Sequence, residues 1–143
     1  DLVRSRGLGD VYKRQSFEGD TGPYILYTIV RIKSILAKYQ EQGKSLENLC
    51  LEEAQGASEK DLMRQLCSFN AMMDSACEET APHKICAYIY DLANAFNKFY
   101  HETKILAEED QKKQAGWIAL LKLTKEVLET CIDVLGFSAP DRM

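Results

Sequence analysis

The sequence predicts an all-α fold, a single helical bundle of five to six helices, on three observations. Apolar residues recur every three or four positions through the long segments, the spacing that gives a helix one buried face. Prolines and glycines stand where those segments begin and end: Pro23 and Gly43, Pro82, then Gly136 and Pro140. Strand-like alternation, internal repeats and low-complexity tracts are missing. At 143 residues the chain suits one domain with one core.

The first helix is expected from about Pro23 to Gln42, with oxygen caps from Asp20-Thr21 ahead of it and Gly43 as a left-handed stop. At about 100° per residue, Ile25, Ile29, Ile32, Leu36 and Tyr39 share one sector, the core stripe. Tyr24, Tyr27, Arg31 and Lys38 fall in another sector. Ser45 to Glu53 reads as a turn or a brief helix. Ser58-Glu59-Lys60-Asp61 has the form of a capping box, opening a helix that buries Leu62, Leu66 and Phe69. A break is expected near Ser68-Phe69-Asn70, before a short helix with Met72, Met73, Ala76 and Cys77 on its apolar face.

Thr80-Ala81-Pro82 starts the next helix by the same cap-and-proline logic. Ile85, Ile89, Leu92, Phe96 and Phe99 form its buried stripe. Tyr90, Asn94, Asn97 and His101 are expected on the far side, with Tyr100 on the border. The last helix, about Glu108 to Leu135, spreads its apolar residues widely, from Trp117 to Val134, and should be the most enclosed. Gly136 ends it, Phe137 can fold back on the last turn, and Pro140 prevents resumption. Asp1 to Gln15 has no helical period and fits nothing that follows. Residues 1–15 are read as a non-native or disordered leader, translated adaptor sequence before a truncated gene, with a native divergent linker as the alternative; residues 16–143 form the helical domain.

Composition narrows the function. No apolar run approaches the ~20 residues that cross a bilayer, and no signal peptide opens the chain, so the default setting is cytoplasmic, without a membrane partner. Five cysteines, an odd number with no C-x-x-C pair, argue against a disulfide framework or zinc site. Cys67, Cys77, Cys86 and Cys131 are expected as small buried thiols. The net charge is −4; residues 1–15 carry +2 and the remainder therefore −6. A domain gripping a phosphate backbone non-specifically should be basic, so contact with nucleic acid would have to be local.

Catalytic patterns are missing. His83 and His101 stand in no metal-binding spacing, and acidic pairs such as Glu52-Glu53 and Glu108-Glu109 point apart on a helix. No glycine-rich loop follows a strand to cradle phosphates. The sector with Tyr24, Tyr27 and Arg31 allows two readings from spacing alone. Flat rings beside a planar cation suit unpaired bases, whereas two tyrosines can also simply pack against a neighbouring helix.

Resemblance separates the two. FEGDTGPYILYTIVRIKSIL, then PHKICAYIYDLANAFNKFYHETKIL, then VLGFSAPDRM at the end resemble, in order and spacing, the C-terminal anticodon-binding domain of arginyl-tRNA synthetases. The likeness runs from about Ser16 to Met143. One departure is Asn70, where the family usually has proline, so the break there should be softer. The resemblance implies an anticodon-binding helical bundle that contacts the anticodon loop of arginine tRNA through Tyr24, Tyr27, Arg31, Asn97, Tyr100 and Met143. Asn97 is the weakest of the six, because it can hydrogen-bond within the bundle.

The family's catalytic half, with HIGH-like and KMSK-like motifs, has no counterpart here. The chain by itself should therefore be inactive and bind no cofactor. ATP, with Mg2+, belongs to the absent catalytic domain, which is itself an expected partner; DNA is not. Arginine anticodons share a central C, whose amino group needs an acceptor such as the terminal carboxylate of Met143 or a backbone carbonyl near it. Asp141 and Arg142 beside it are expected to flank the site or to form a surface ion pair. The alternative from another class is a helical protein–protein interaction module, favoured by the acidic charge and the apolar last helix. A carboxylate–metal bundle enzyme needs inward Glu and Glu-x-x-His sets that the sequence lacks.

Overall fold

A computed structural model describes residues 21–136, 139–141 and 143, which contain helices, turns and no strand. Five helices form among the described residues: α1 (Gly22–Glu41), α2 (Ala57–Cys67), α3 (Phe69–Glu78), α4 (Pro82–Glu102) and α5 (Gln111–Val134). The expectations for residues 1–15, Phe137 and Arg142 lie outside the described residues.

In α1 the whole predicted stripe is buried, joined by Thr28 and Ile35. Pro23 sits in the first turn, but Thr21 makes no side-chain cap hydrogen bond. Its backbone is already helical (φ −73°, ψ −39°), whereas a capping oxygen needs extended dihedrals to reach the N–H groups ahead. Gly43 does end the helix in the left-handed region (φ +80°), its N–H bonded to the Gln40 carbonyl at 2.9 Å.

The capping box at Ser58 does not form. The cap position is Gly56, so Ser58 falls inside the first turn, and the Glu59 carboxylate instead accepts from the N–H of Gln55, one residue ahead of the cap, at 3.3 Å. The break comes at Ser68 and is soft: its backbone stays near-helical (φ −84°, ψ 0°), its N–H bonds back to the Arg64 carbonyl at 3.2 Å, and its carbonyl accepts from the Met72 N–H at 3.0 Å. Ala76 is the one buried residue of α3; Phe69, Met72 and Met73 are half-buried against the core. Thr80 caps nothing ahead of it. It closes α3 as the left-handed residue (φ +50°) of a Schellman turn, with Ala81 N–H to Ala76 O at 2.8 Å and Thr80 N–H to Cys77 O at 3.3 Å.

Helix α4 touches all four other helices, and α1 and α5 also pack on each other. Its predicted stripe is buried, with Tyr88, Ala93 and Asn97 added. Half of the 24 residues of α5 are buried, although Val134 at its end is exposed. That helix begins at Gln111 rather than Glu108, because the Asp110 carboxylate accepts from the Lys112 and Lys113 N–H groups at 3.1 and 3.2 Å. Gly116 lets the segment before α2 cross it closely: a Cβ there would lie 2.7 Å from Glu52 Cγ.

The thiols depart most from expectation. Cys67 and Cys77 are exposed and Cys86 half-buried, leaving Cys131 as the buried one. Cys67 ends α2 and Cys77 lies on the outer side of the thin α3, so apolar sequence neighbours did not put them inside. Loss of solvent at Cys131 pushes its thiol up to about 12. Burial likewise raises the Tyr88 phenol, which donates to the Gln65 carbonyl at 2.6 Å.

Candidate nucleic-acid interface

The seam between α1 and α4 is where the predicted site residues meet. On α1, Tyr24, Tyr27 and Arg31 follow one another at three- and four-residue spacing, beside the buried stripe. On α4, Asn94, Asn97 and Tyr100 do the same, at spacings of three. Packing these helices brings residues about seventy positions apart into one hydrogen-bonded set.

Asn97 is its hub and is buried, not on the far side of α4 as the periodicity suggested. The two N–H groups of its amide are shared among three acceptors: Tyr24 Oη at 2.9 Å, Thr28 Oγ1 at 3.0 Å and the Ala93 carbonyl at 3.0 Å. Its Oδ1 accepts from Arg31 Nη1 at 2.7 Å. A polar residue can occupy that buried place because every polar atom of its side chain has a partner there. Tyr24 Oη in turn donates to Asn94 Oδ1 at 2.8 Å.

Two rings flank the guanidinium so placed. Arg31 Cζ lies 4.9 Å from the Tyr27 ring centre and 4.6 Å from that of Tyr100, and Nη2 donates to Tyr27 Oη at 3.3 Å. Tyr100 is backed by the fully buried Phe96, with ring centres 6.2 Å apart and planes 27° apart, so the core fixes its orientation. Tyr27 is half exposed, and Tyr24 lies 6.1 Å from the exposed Tyr90. Of five guanidinium N–H groups, two are engaged; the others have no hydrogen-bond partner among the described residues. Such a surface can stack a flat ring and donate hydrogen bonds to its edge or to a phosphate.

Met143 joins none of these hydrogen bonds. It lines a neighbouring groove of about 820 Å³ over α1 and α5, with Val30, Lys33, Ser34, Ala37 and Lys125 among its walls. Lys33 holds the tail there, donating to the Pro140 carbonyl and to Asp141 Oδ1, both at 3.3 Å. Asp141 is thus paired to α1. Val30 and Ser34 are on the turns of α1 that also carry Tyr27 and Arg31, so the two sites flank one outer surface of that helix. Periodicity missed Thr28 and Asn94 as parts of the network; Thr28 was the polar residue beside the stripe, and Asn94 was the spacing partner of Asn97. Lys33 gave no signal, because its partners Glu129, Pro140 and Asp141 are all distant in the chain.

Among the described residues, no group of three His, Cys, Asp or Glu could hold a metal ion. No helix among them is long and apolar enough to cross a membrane.

Fold and site together define an all-α bundle that presents an aromatic-flanked guanidinium between two helices. The model of the DALR anticodon binding domain matches residues 25–143, and the chain belongs to that family. It is 62% identical to an arginine–tRNA ligase of Agathobacter rectalis over 136 residues, covering 94% of this chain and 23% of that protein. An arginine–tRNA ligase of Alkaliphilus oremlandii is 47% identical, with the same coverage of both. Among solved structures, the Thermus thermophilus arginyl-tRNA synthetase superposes with a TM-score of 0.74 at 31% identity, over 90% of this chain and 22% of that one. The chain therefore spans about a quarter of the length of these relatives.

Proposed function

We propose that this chain recognises the anticodon loop of arginine tRNA on behalf of an arginine–tRNA ligase. The observation that carries the reading is the Arg31 guanidinium, held by Asn97 and flanked by Tyr27 and Tyr100. Tyr27 or Tyr100 stacks a splayed base, contributing about 1–3 kcal/mol, while Arg31 supplies hydrogen bonds or neutralises a phosphate. Asn97 holds Arg31 and touches no RNA. Met143, at the edge of the adjoining groove, places an acceptor, a carbonyl oxygen at or beside it, toward the amino group of the central cytosine.

The net charge of −4 supports local contacts rather than a broad grip on phosphates. In the longer enzyme, ATP with Mg2+ serves a separate catalytic domain that is also the physical partner of this one. The setting is cytoplasmic, with neither membrane nor DNA as partner. Titrating the full chain with arginine tRNA and with an unrelated tRNA tests the reading. A clear preference for arginine tRNA, reduced by changing its central anticodon C to U, is expected. Equal affinity for all three RNAs would refute it and favour a protein-interaction module.

A further inference from the structure

We infer that Lys33 is a positioning residue, the clamp that docks the C-terminal segment on α1 and so fixes where Met143 stands. The Lys33 ammonium meets three groups from two parts of the chain. It lies 3.3 Å from both the Pro140 carbonyl and Asp141 Oδ1, and 3.6 Å from Glu129 Oε1 of α5. Its side chain is only about a fifth exposed, whereas Asp141 is almost wholly exposed, so the tail reaches inward to a charge that α1 and α5 already hold. Glu129 Oε1 is cut off from solvent and accepts no hydrogen bond among the described residues; it faces the Lys33 and Lys125 ammonium groups at 3.6 and 3.9 Å. This carboxylate anchors the Lys33 ammonium between α1 and α5, on the side that faces the tail.

The site is asymmetric. On one side of the tail lies the groove with Met143 and the outer surface of α1. On the other, a second hollow sets Glu126, Glu129 and Asp133 against Lys33 alone, an excess of negative charge that repels a phosphate backbone. In the first groove, by contrast, Lys33, Lys38 and Lys125 balance Glu41, Glu129 and Asp141. A tail released from Lys33 would lose its place at the boundary between the two. Lys33's part in RNA discrimination rests on the anticodon reading above; its hold on the tail does not.

The experiment uses the full chain with Lys33→Met, Lys33→Arg, Asp141→Asn and a deletion of Met143, each checked for helicity. The rate at which a carboxypeptidase releases Met143 reads the docking directly. Lys33→Met should raise that rate about tenfold, the factor that one modest charge-assisted hydrogen bond carries. Asp141→Asn should raise it less, because the Pro140 carbonyl remains, and Lys33→Arg should restore a slow rate. An unchanged rate in Lys33→Met overturns the clamp.

Affinity for arginine tRNA with a central C, relative to the same RNA with a central U, reads the positioning. Lys33→Met should shrink that ratio as far as deletion of Met143 does, and the two changes together should shrink it no further. A freed tail with an undiminished ratio overturns the positioning role. If the unaltered chain shows no such ratio, the anticodon reading falls, and the release rates alone decide the clamp.

Discussion

Replacing Asn97 with leucine separates what the polar seam does for stability from what it does for RNA. The substitution keeps the volume and removes the amide. Few buried groups are orphaned: Thr28 still donates to the Tyr24 carbonyl, and Tyr24 still donates to Asn94. What is lost outright is the acceptor of the Arg31 Nη1 hydrogen bond. A hydrogen bond to a charged group contributes about 1.5–3 kcal/mol, part of which the buried leucine side chain restores, so a net loss of about 1–2 kcal/mol is expected. For a domain of this size that lowers the melting temperature by roughly 4–8 °C.

The RNA effect has a different origin. Without its acceptor, Arg31 must be ordered by the RNA itself, at about 0.5–1.5 kcal/mol for an immobilised long side chain, which weakens affinity roughly 3–10-fold. Thermal unfolding gives the first quantity and a tRNA titration on the folded protein the second. In an Arg31→Ala background, Asn97→Leu should weaken RNA binding no further, because the group it positions is gone. An equal loss of affinity in both backgrounds would refute the argument, since Asn97 would then be acting by a route other than Arg31.

Other outcomes follow from the same geometry. Tyr27→Ala should weaken tRNA binding by about 1–3 kcal/mol while moving the urea midpoint little, because the ring is half exposed. Thr80→Gly should stabilise the chain by about 0.5–1 kcal/mol in urea denaturation, relieving a β-branched residue at φ +50°. Gly116→Ala should destabilise it by about 1 kcal/mol, since the new Cβ would lie 3.0 Å from Glu52 Cβ and 3.4 Å from its backbone nitrogen, a crowding that outweighs alanine's helix preference.

Stability should also fall at high pH. The buried Cys131 thiol ionises near 12 when folded but near 9 when unfolded, so the unfolded state alone releases the proton between those values. Each pH unit in that window removes about 1.4 kcal/mol, and none is lost below it; urea midpoints at pH 8 and 10 measure this. A thiol reagent should label the exposed Cys50, Cys67 and Cys77 quickly and Cys131 only on unfolding.

Legibility in the sequence tracked how many residues voted on each feature. The stripes of α1 and α4 read correctly because each rests on five apolar residues in one phase, and one exception cannot rotate a helix. Features resting on a single side chain read poorly. Ser58 looked like a cap and Thr80 like another, yet where a helix starts or stops depends on backbone dihedrals that neighbouring packing sets. Cys77 failed for a related reason: α3 is a thin helix with one buried residue, so an apolar neighbour there is no evidence of an interior.

Asn97 is the instructive case. Periodicity put it on the far side from the apolar stripe, while the family resemblance put it in the site, and the structure buries it with every polar atom paired. The seam could hold an asparagine only because α1 supplied Tyr24, Thr28 and Arg31 at matching heights, a match between residues about seventy positions apart that no local pattern contains. The two helices that build the core are thus also the ones that aim the guanidinium. Disrupting the α1–α4 packing should therefore scatter Arg31 before it unfolds the chain.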